Sequence, residues 1–469
     1  MPHDDRPGPA HPPAAADSAA LPVLGLQAQL GDRPAKRSAV FAWALWDWGL
    51  QPFNTVIVTF IFTALYLTTD AFLPPEVQAL ADGDPAKDQA LAGLSSGLGL
   101  GTTIAGLLIL AVAPVLGQQA DAQGKQKLWL GIGTGGTIAC MLGLWFAEPA
   151  PTYFGLGVAL IAAGTVFNEI GSVNSNALLV SIASPHNVGR ISGLGWGFGY
   201  LGGILALVLV VVFYVSDWFG LPEDGGLPFR LIAVGCAVWG LVFTLPVFLA
   251  VPEPAPLGKP ERRVNFFRSY ALLVRDVAGL YRSPATRNTF WFLLASSVFR
   301  DGLSGVFTFG AIIAAQVFGF GFIDLVVFGI AANLIAGVST LIAGRWDDRF
   351  GPKAVIVTAL AAMVVSGLVV FAFADGGAVV FWVFGLALCA CVGPAQSAGR
   401  SFLARVTPAG REGEIFGLYA TTGRAASWMS SLLWTVLIAL TGATIFGVLG
   451  IVIVLAIGLA LLLPVRAAR

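Results

Sequence analysis

The chain has 469 residues, 57% of them hydrophobic and only 11% charged, and its 26 basic side chains balance 26 acidic ones. Soluble domains carry about 25% charged residues, so this composition excludes an ordinary water-soluble globule, and zero net charge excludes the basic surface of a nucleic-acid binder. The three histidines lie outside the apolar runs, the cysteines Cys140, Cys236, Cys389 and Cys391 lie inside them, and no HExxH, P-loop or metal-ligand spacing occurs. The chain is therefore expected to be no enzyme and to need no cofactor or metal.

Residues 1–38, rich in Pro, Ala and Asp, lack helical periodicity and the apolar core of a signal peptide, and are expected to form a disordered cytoplasmic tail. Apolar runs of the roughly 20 residues needed to cross a hydrocarbon layer then recur at 39–66, 93–116, 128–147, 153–180, 191–215 and 229–251. A linker over 252–288 follows, beginning with Pro252, Pro254, Pro256 and Pro260. Within it Phe266, Tyr270, Leu273, Val277 and Leu280 recur at helical spacing, which predicts an amphipathic helix packed under the bundle at the cytoplasmic surface. Six further runs occupy 289–317, 323–343, 354–374, 379–403, 413–438 and 443–464, leaving a short cytoplasmic tail over 465–469. The pattern predicts an all-α membrane protein of about twelve transmembrane helices. They divide into an N-terminal six-helix bundle over 39–251 and a C-terminal one over 289–464.

With both termini in the cytoplasm, 21 of the 26 lysines and arginines fall in inner segments, while outer segments carry acids such as Asp70, Glu76, Asp82 and Asp224. The positive-inside rule thus fits an even number of spans. Two of the inner segments carry a short polar stretch that occurs twice, as GQQADAQGKQK from Gly117 to Lys127 and as GRWDDRFGPK from Gly344 to Lys353. Each copy places Asp four and Gly seven residues after its first Gly: Gly117, Asp121 and Gly124, then Gly344, Asp348 and Gly351, with Arg349 only in the second. Such repeated halves mark many secondary transporters. Read as loops, the copies form a cytoplasmic gate in which Gly allows a tight exit from a helix and Asp can meet the positive end of a neighbouring helix.

With this duplicated pattern the chain resembles the major facilitator superfamily from Ala39 to Leu463. Further stretches are similar to the vacuole effluxer family, the branch that includes the autophagy-related amino-acid exporter of fungal vacuoles. These are Trp46-Asp47-Trp48, SGLGWGFGYLGG from Ser192 to Gly203, Asp301-Gly302, GPAQSAGRSFLARVTP from Gly393 to Pro408 and FGLYATTGRAAS from Phe416 to Ser427. The resemblance implies two pseudo-symmetric six-helix bundles, alternating access and a small-molecule substrate.

Ionisable residues inside apolar runs are costly unless they face a cavity or a partner, and the chain has Asp47, Glu169, Arg300, Asp301, Arg400 and Arg424. At 1.5 Å per residue most lie roughly 15–20 Å deep, Asp47 being shallower. Arg400, near the inner end of its run, is placed with the gate. Arg300 and Arg424 offer planar donor forks for an anionic group; the acids offer an amine partner, a proton carrier or an ion pair with those arginines. Asn54, Asn176 and Gln396 add polar groups that orient a solute or join helices, and the glycines from Gly193 to Gly203 permit close helix approach. The expected function is secondary transport of a small polar solute, an amino acid or similar zwitterion being favoured, with protons as coupling ion. The expected setting is the bilayer of a bacterial cytoplasmic membrane, as a monomer. The alternatives are proton-driven export of drug-like amphipaths, and a receptor, scaffold or lipid scramblase on the same fold.

Overall fold

The computed structural model describes residues 36–123, 125–182, 188–222, 224–253, 266–284, 286–406 and 412–466. The expected N-terminal tail and Gly124 lie outside the described residues, apart from the short stretch from Lys36 onward. Twelve crossings follow in chain order. The first, α1, covers Arg37–Leu67, and α2 to α6 are Pro85–Gln123, Gln126–Gly143, Pro151–Ile182, Val188–Val215 and Leu227–Ala250. The second six are α7 (Arg287–Gln316), α8 (Phe322–Phe350), α9 (Pro352–Ala372), α10 (Ala378–Val406), the two-piece α11 (Glu412–Ala425 and Met429–Thr441) and α12 (Phe446–Leu462). A separate helix over Phe266–Arg282 joins the halves. Ten of the crossings are single helical stretches long and apolar enough to span a bilayer; α11 is divided and α12 has 17 residues.

Proline starts several of these helices, at Pro85, Pro151 and Pro352, where its missing N–H costs nothing and its fixed φ suits the first turn. Two crossings depart from regular α-helix. In α1, Pro52 ends the α-helical part and Phe53–Phe60 winds as π-helix. The hydroxyls of Thr59, Thr63 and Thr68 each donate to the carbonyl five residues back, at 2.8 Å, holding the wide turn. In α11 the helix stops at Ala425 and restarts at Met429, and Ser427 Oγ donates to Arg424 O at 2.8 Å across the break.

The same packing pairs recur in both halves. α3 lies on α4 as α9 lies on α10, α1 on α6 as α7 on α12, and α2 on α4 as α8 on α10. Between halves, α2 meets α11, α5 meets α8, and α1 meets α7. Exchanging the halves maps this set onto itself, so the architecture is two pseudo-symmetric six-helix bundles around α1 and α7. The largest fully buried side chains, among them Phe53, Phe62, Phe292, Phe309 and Trp434, occupy this centre. Leu107, Val212, Leu241, Val365 and Val383 remain outward, an apolar girdle that only lipid tails can cover.

The duplicated polar stretch differs from expectation. Residues 344–350 are the last turns of α8 and residues 117–123 the last turns of α2, so both copies are mostly helix and extend their spans beyond the apolar run. The tight turn lies at Gly351, whose φ of 84° favours glycine, whereas Gly344 is an open helical position with nothing near its missing Cβ. Each copy ends on a lysine that closes its own half. Lys127 Nζ donates to Phe248 O at the end of α6 (3.0 Å), and Lys353 Nζ donates to Leu463 O and Val465 O beyond α12 (2.7 and 2.6 Å). A cation at the carbonyl end of a helix opposes its dipole.

The joining helix packs on α2 and α7. Of the stripe, Leu280 is buried and Val277 half-buried, as amphipathicity requires. The side chains of Phe266, Tyr270 and Leu273 lie outside the described residues.

Candidate substrate pathway

The centre of the molecule is assembled from α1, α4, α7, α10 and α11. Two indoles fix α1: Trp43 Nε1 donates to Ser175 O on α4 (2.7 Å) and Trp46 Nε1 to Thr134 Oγ1 on α3 (2.9 Å). That orientation turns Asp47 toward α5, against Gly195 and Gly199, and a Cβ at Gly195 would lie 2.9 Å from its Oδ2. Gly202 and Gly203 continue the stripe against Trp48, Gln51 and Thr55. The glycines of α5 therefore admit α1 to close range, as their spacing predicts. Asp47 is half-buried and has no ion pair or hydrogen bond among the described residues.

About two turns deeper the π-helical segment carries Asn54, whose Oδ1 accepts from Asn168 Nδ2 on α4 at 3.3 Å. Glu169, the next residue, forms an ion pair with Arg424. This pair joins the two halves, because α4 belongs to the first and α11 to the second. Its side chains are 28% and 26% exposed, so they face an open cleft rather than a sealed core. Arg300 of α7 approaches the same part of α11. Its Nη1 donates to Tyr419 O at 2.9 Å, its guanidinium lies 4.3 Å from the Tyr419 ring centre, and Gly423 leaves the space it occupies. Arg400 stands within electrostatic range of both Arg300 and Tyr200 of α5. It is exposed near the end of α10.

Asp301 goes elsewhere. Its side chain is 4% exposed and accepts the backbone N–H of Ser430 at 2.6 Å. That N–H is orphaned by the break in α11, so the carboxylate caps the restarted helix. Asn176 is exposed on α4 and Gln396 half-buried on α10. At the end of the molecule where α2 and α8 finish, the side chains of Asp121 and Asp348 lie outside the described residues, while Arg349 stacks on its neighbour Phe350. Among the described residues, Asp347 there pairs with Arg405 of α10, at 2.9 Å. Neither residue stands out in the sequence, because Asp347 is masked by its twin Asp348.

The opposite end is closed. Gln316, last residue of α7, accepts from Ser95 Oγ of α2 (2.7 Å) and from Thr444 Oγ1 (2.8 Å), and donates to Thr68 O of α1 (2.6 Å). Trp434 Nε1 donates to Ser95 O at 3.1 Å while its ring stacks on Phe309 at 4.4 Å. The cue to Gln316 was a single amide near the end of an apolar run. Its partners, drawn from three other segments, are not adjacent in sequence.

The family profile described as vacuole effluxer Atg22-like matches residues 186–469, more than half of the chain. The chain belongs to the vacuole effluxer family. Its similarity to relatives extends further: it is 24% identical over 424 residues to YxiO of Bacillus subtilis, an uncharacterised MFS-type transporter, covering 90% of this chain and 93% of that one. It is also 24% identical over 289 residues to autophagy-related protein 22 of Cryptococcus neoformans, covering 57% of this chain and about half, 51%, of the fungal protein. Among solved structures, the human organic anion transporter MFSD10 superposes with a TM-score of 0.57 at 17% identity over 91% of this chain and 100% of that one. A D-xylose–proton symporter does so with 0.58 at 13% identity over 92% and 97%. At such identities these likenesses establish the major facilitator fold. This member of the vacuole effluxer family is thus an integral membrane protein with the transporter architecture of that superfamily.

Proposed function

We propose that the protein is a secondary active transporter, working by alternating access and coupled to protons, for a small polar solute that carries a carboxylate, the class that includes amino acids and similar zwitterions. The observation that supports this most is the Glu169–Arg424 pair, which joins the two halves beside Arg300 at mid-membrane depth. Charges are retained at that depth where they bind a solute or carry an ion, and a pair that spans the halves is made or broken when the halves rock. The cytoplasmic membrane of a bacterium is the setting, and the distribution of lysine and arginine puts both termini in the cytoplasm. Asp47, half-buried and without a partner among the described residues, has the character of a proton carrier.

The test is flux into proteoliposomes holding the purified protein, with a radiolabelled panel of amino acids and organic acids, in the presence and absence of a pH gradient. The gradient is expected to raise uptake of at least one carboxylate-bearing solute severalfold. Asp47→Asn is expected to abolish that stimulation while leaving exchange at equal pH. Absence of flux for every solute defeats the transporter reading in favour of a receptor, scaffold or scramblase; gradient-independent flux defeats the coupling alone.

A further inference from the structure

We infer that the central cleft selects solutes of net negative charge, and that Glu169 is a resident counter-ion which the solute's carboxylate displaces from Arg424. The inference rests on the transport reading and narrows its substrate class from any carboxylate-bearing solute to organic anions.

Charge balance carries the argument. Arg300 lies within electrostatic range of Arg424 and Arg400, and Glu169, the carboxylate within its reach among the described residues, is already paired with Arg424. Arg300 is less compensated than Arg424. Its partners are a neutral carbonyl and the face of Tyr419, and no carboxylate lies within ion-pair distance among the described residues. The two other midplane acids are not available to it: Asp301 is held on the N–H of Ser430, and Asp47 rests on the glycines of α5. A cation held at mid-membrane depth without a counter-ion is costly, and that cost falls when an anion enters from water. A zwitterion brings an ammonium group as well, and among the described residues the carboxylate beside Arg424 that could receive it is Glu169, at the expense of Arg424.

The geometry also explains why two arginines act together. Gly423 has no side chain where Arg300 Nη1 passes, and a Cβ there would lie 2.5 Å from it, so the guanidinium of Arg300 lies against the residue preceding Arg424. Arg424 engages Glu169 through Nε. A guanidinium has five N–H donors, and a carboxylate arriving from the cleft can take both forks once Glu169 swings away. Displacement separates the only described intramembrane ion pair between the halves, so binding of the anion and release of one inter-half contact become one event.

The experiment uses the full chain in detergent and a five-carbon series that varies mainly in charge: glutarate, glutamate, norvaline and cadaverine. Binding is read by calorimetry. Glutarate and glutamate are expected to bind at least tenfold more tightly than norvaline, and cadaverine not to bind. Glu169→Gln removes the resident carboxylate and is expected to tighten glutarate binding about fivefold, whereas a purely structural Glu169 would weaken it. Arg300→Gln is expected to weaken glutarate at least tenfold with norvaline unchanged. Norvaline binding as tightly as glutarate overturns the anion inference, and if norvaline is also carried into proteoliposomes the transport reading stands without it. Binding by none of the four to the unmodified protein overturns the inference too, and the wider flux panel then decides the transport reading by itself.

Discussion

At the scale of single residues, adjacent side chains of α7 do different work because helical neighbours diverge by about 100°. Arg300 faces the cleft and α11, while Asp301 turns into the packing and takes the N–H of Ser430. The sequence presents them as a charged doublet in an apolar run, and spacing alone left both as pathway residues. The structure makes Asp301 a helix cap, which predicts a separation of stability from transport. Asp301→Ala leaves a buried N–H without an acceptor and is expected to cost about 1–3 kcal/mol, read as a lower unfolding midpoint in detergent. Asp301→Asn keeps an acceptor oxygen and is expected to restore most of the midpoint, with flux and its response to a pH gradient near those of the unmodified protein. Loss of gradient-driven flux in a well-folded Asn variant would instead return Asp301 to the proton pathway.

At the scale of elements, the twelve spans were legible because each needs about 20 apolar residues and nothing else in a chain of this kind produces such runs. What composition did not carry is hydrogen-bond register. The π-helical turn of α1 depends on Thr59, Thr63 and Thr68 reaching back five residues, and the break in α11 falls in AASWM, where no proline or glycine marks it. The polar ends of α2 and α8 read as loops because charge replaced hydrophobicity there, although Arg, Asp and Gln continue a helix readily once they reach water. The duplicated stretch was nevertheless a sound guide to the halves, and its terminal lysines are where the repetition acts on structure. Lys353→Met removes both bonds to the carbonyls beyond α12 and is expected to lower stability by about 1 kcal/mol, while Lys353→Arg retains the charge and most of the stability. An unchanged melting profile for the Met variant would show that α12 is held by its apolar contacts with α7, α9 and α11 alone.

At the scale of the whole molecule, the pairing of Glu169 with Arg424 was not readable, since 255 residues separate two groups that several others could have matched. The same holds for the closed end, where Gln316 gathers Ser95, Thr68 and Thr444 from three other segments. Its place between the halves gives it a consequence for the proposed cycle. Opening that end requires α2 to part from α11 and α1 from α7, and two of the three bonds of Gln316, those to Ser95 and Thr68, cross between the halves. Each is worth about 1 kcal/mol net, so the two together bias the equilibrium toward closure by up to roughly thirtyfold. Gln316→Leu removes them while keeping an apolar side chain of similar length beside Trp434 and Phe309. Spin labels at Glu76, on the short helix Pro75–Gln78 between α1 and α2, and at Ala443, between α11 and α12, report the separation by pulsed electron resonance. The unmodified protein is expected to give mainly the short distance and Gln316→Leu a second, longer one, with no change in a label pair placed within one half. An unaltered distance distribution would mean that the stacked Phe309 and Trp434, rather than the amide, hold this end shut.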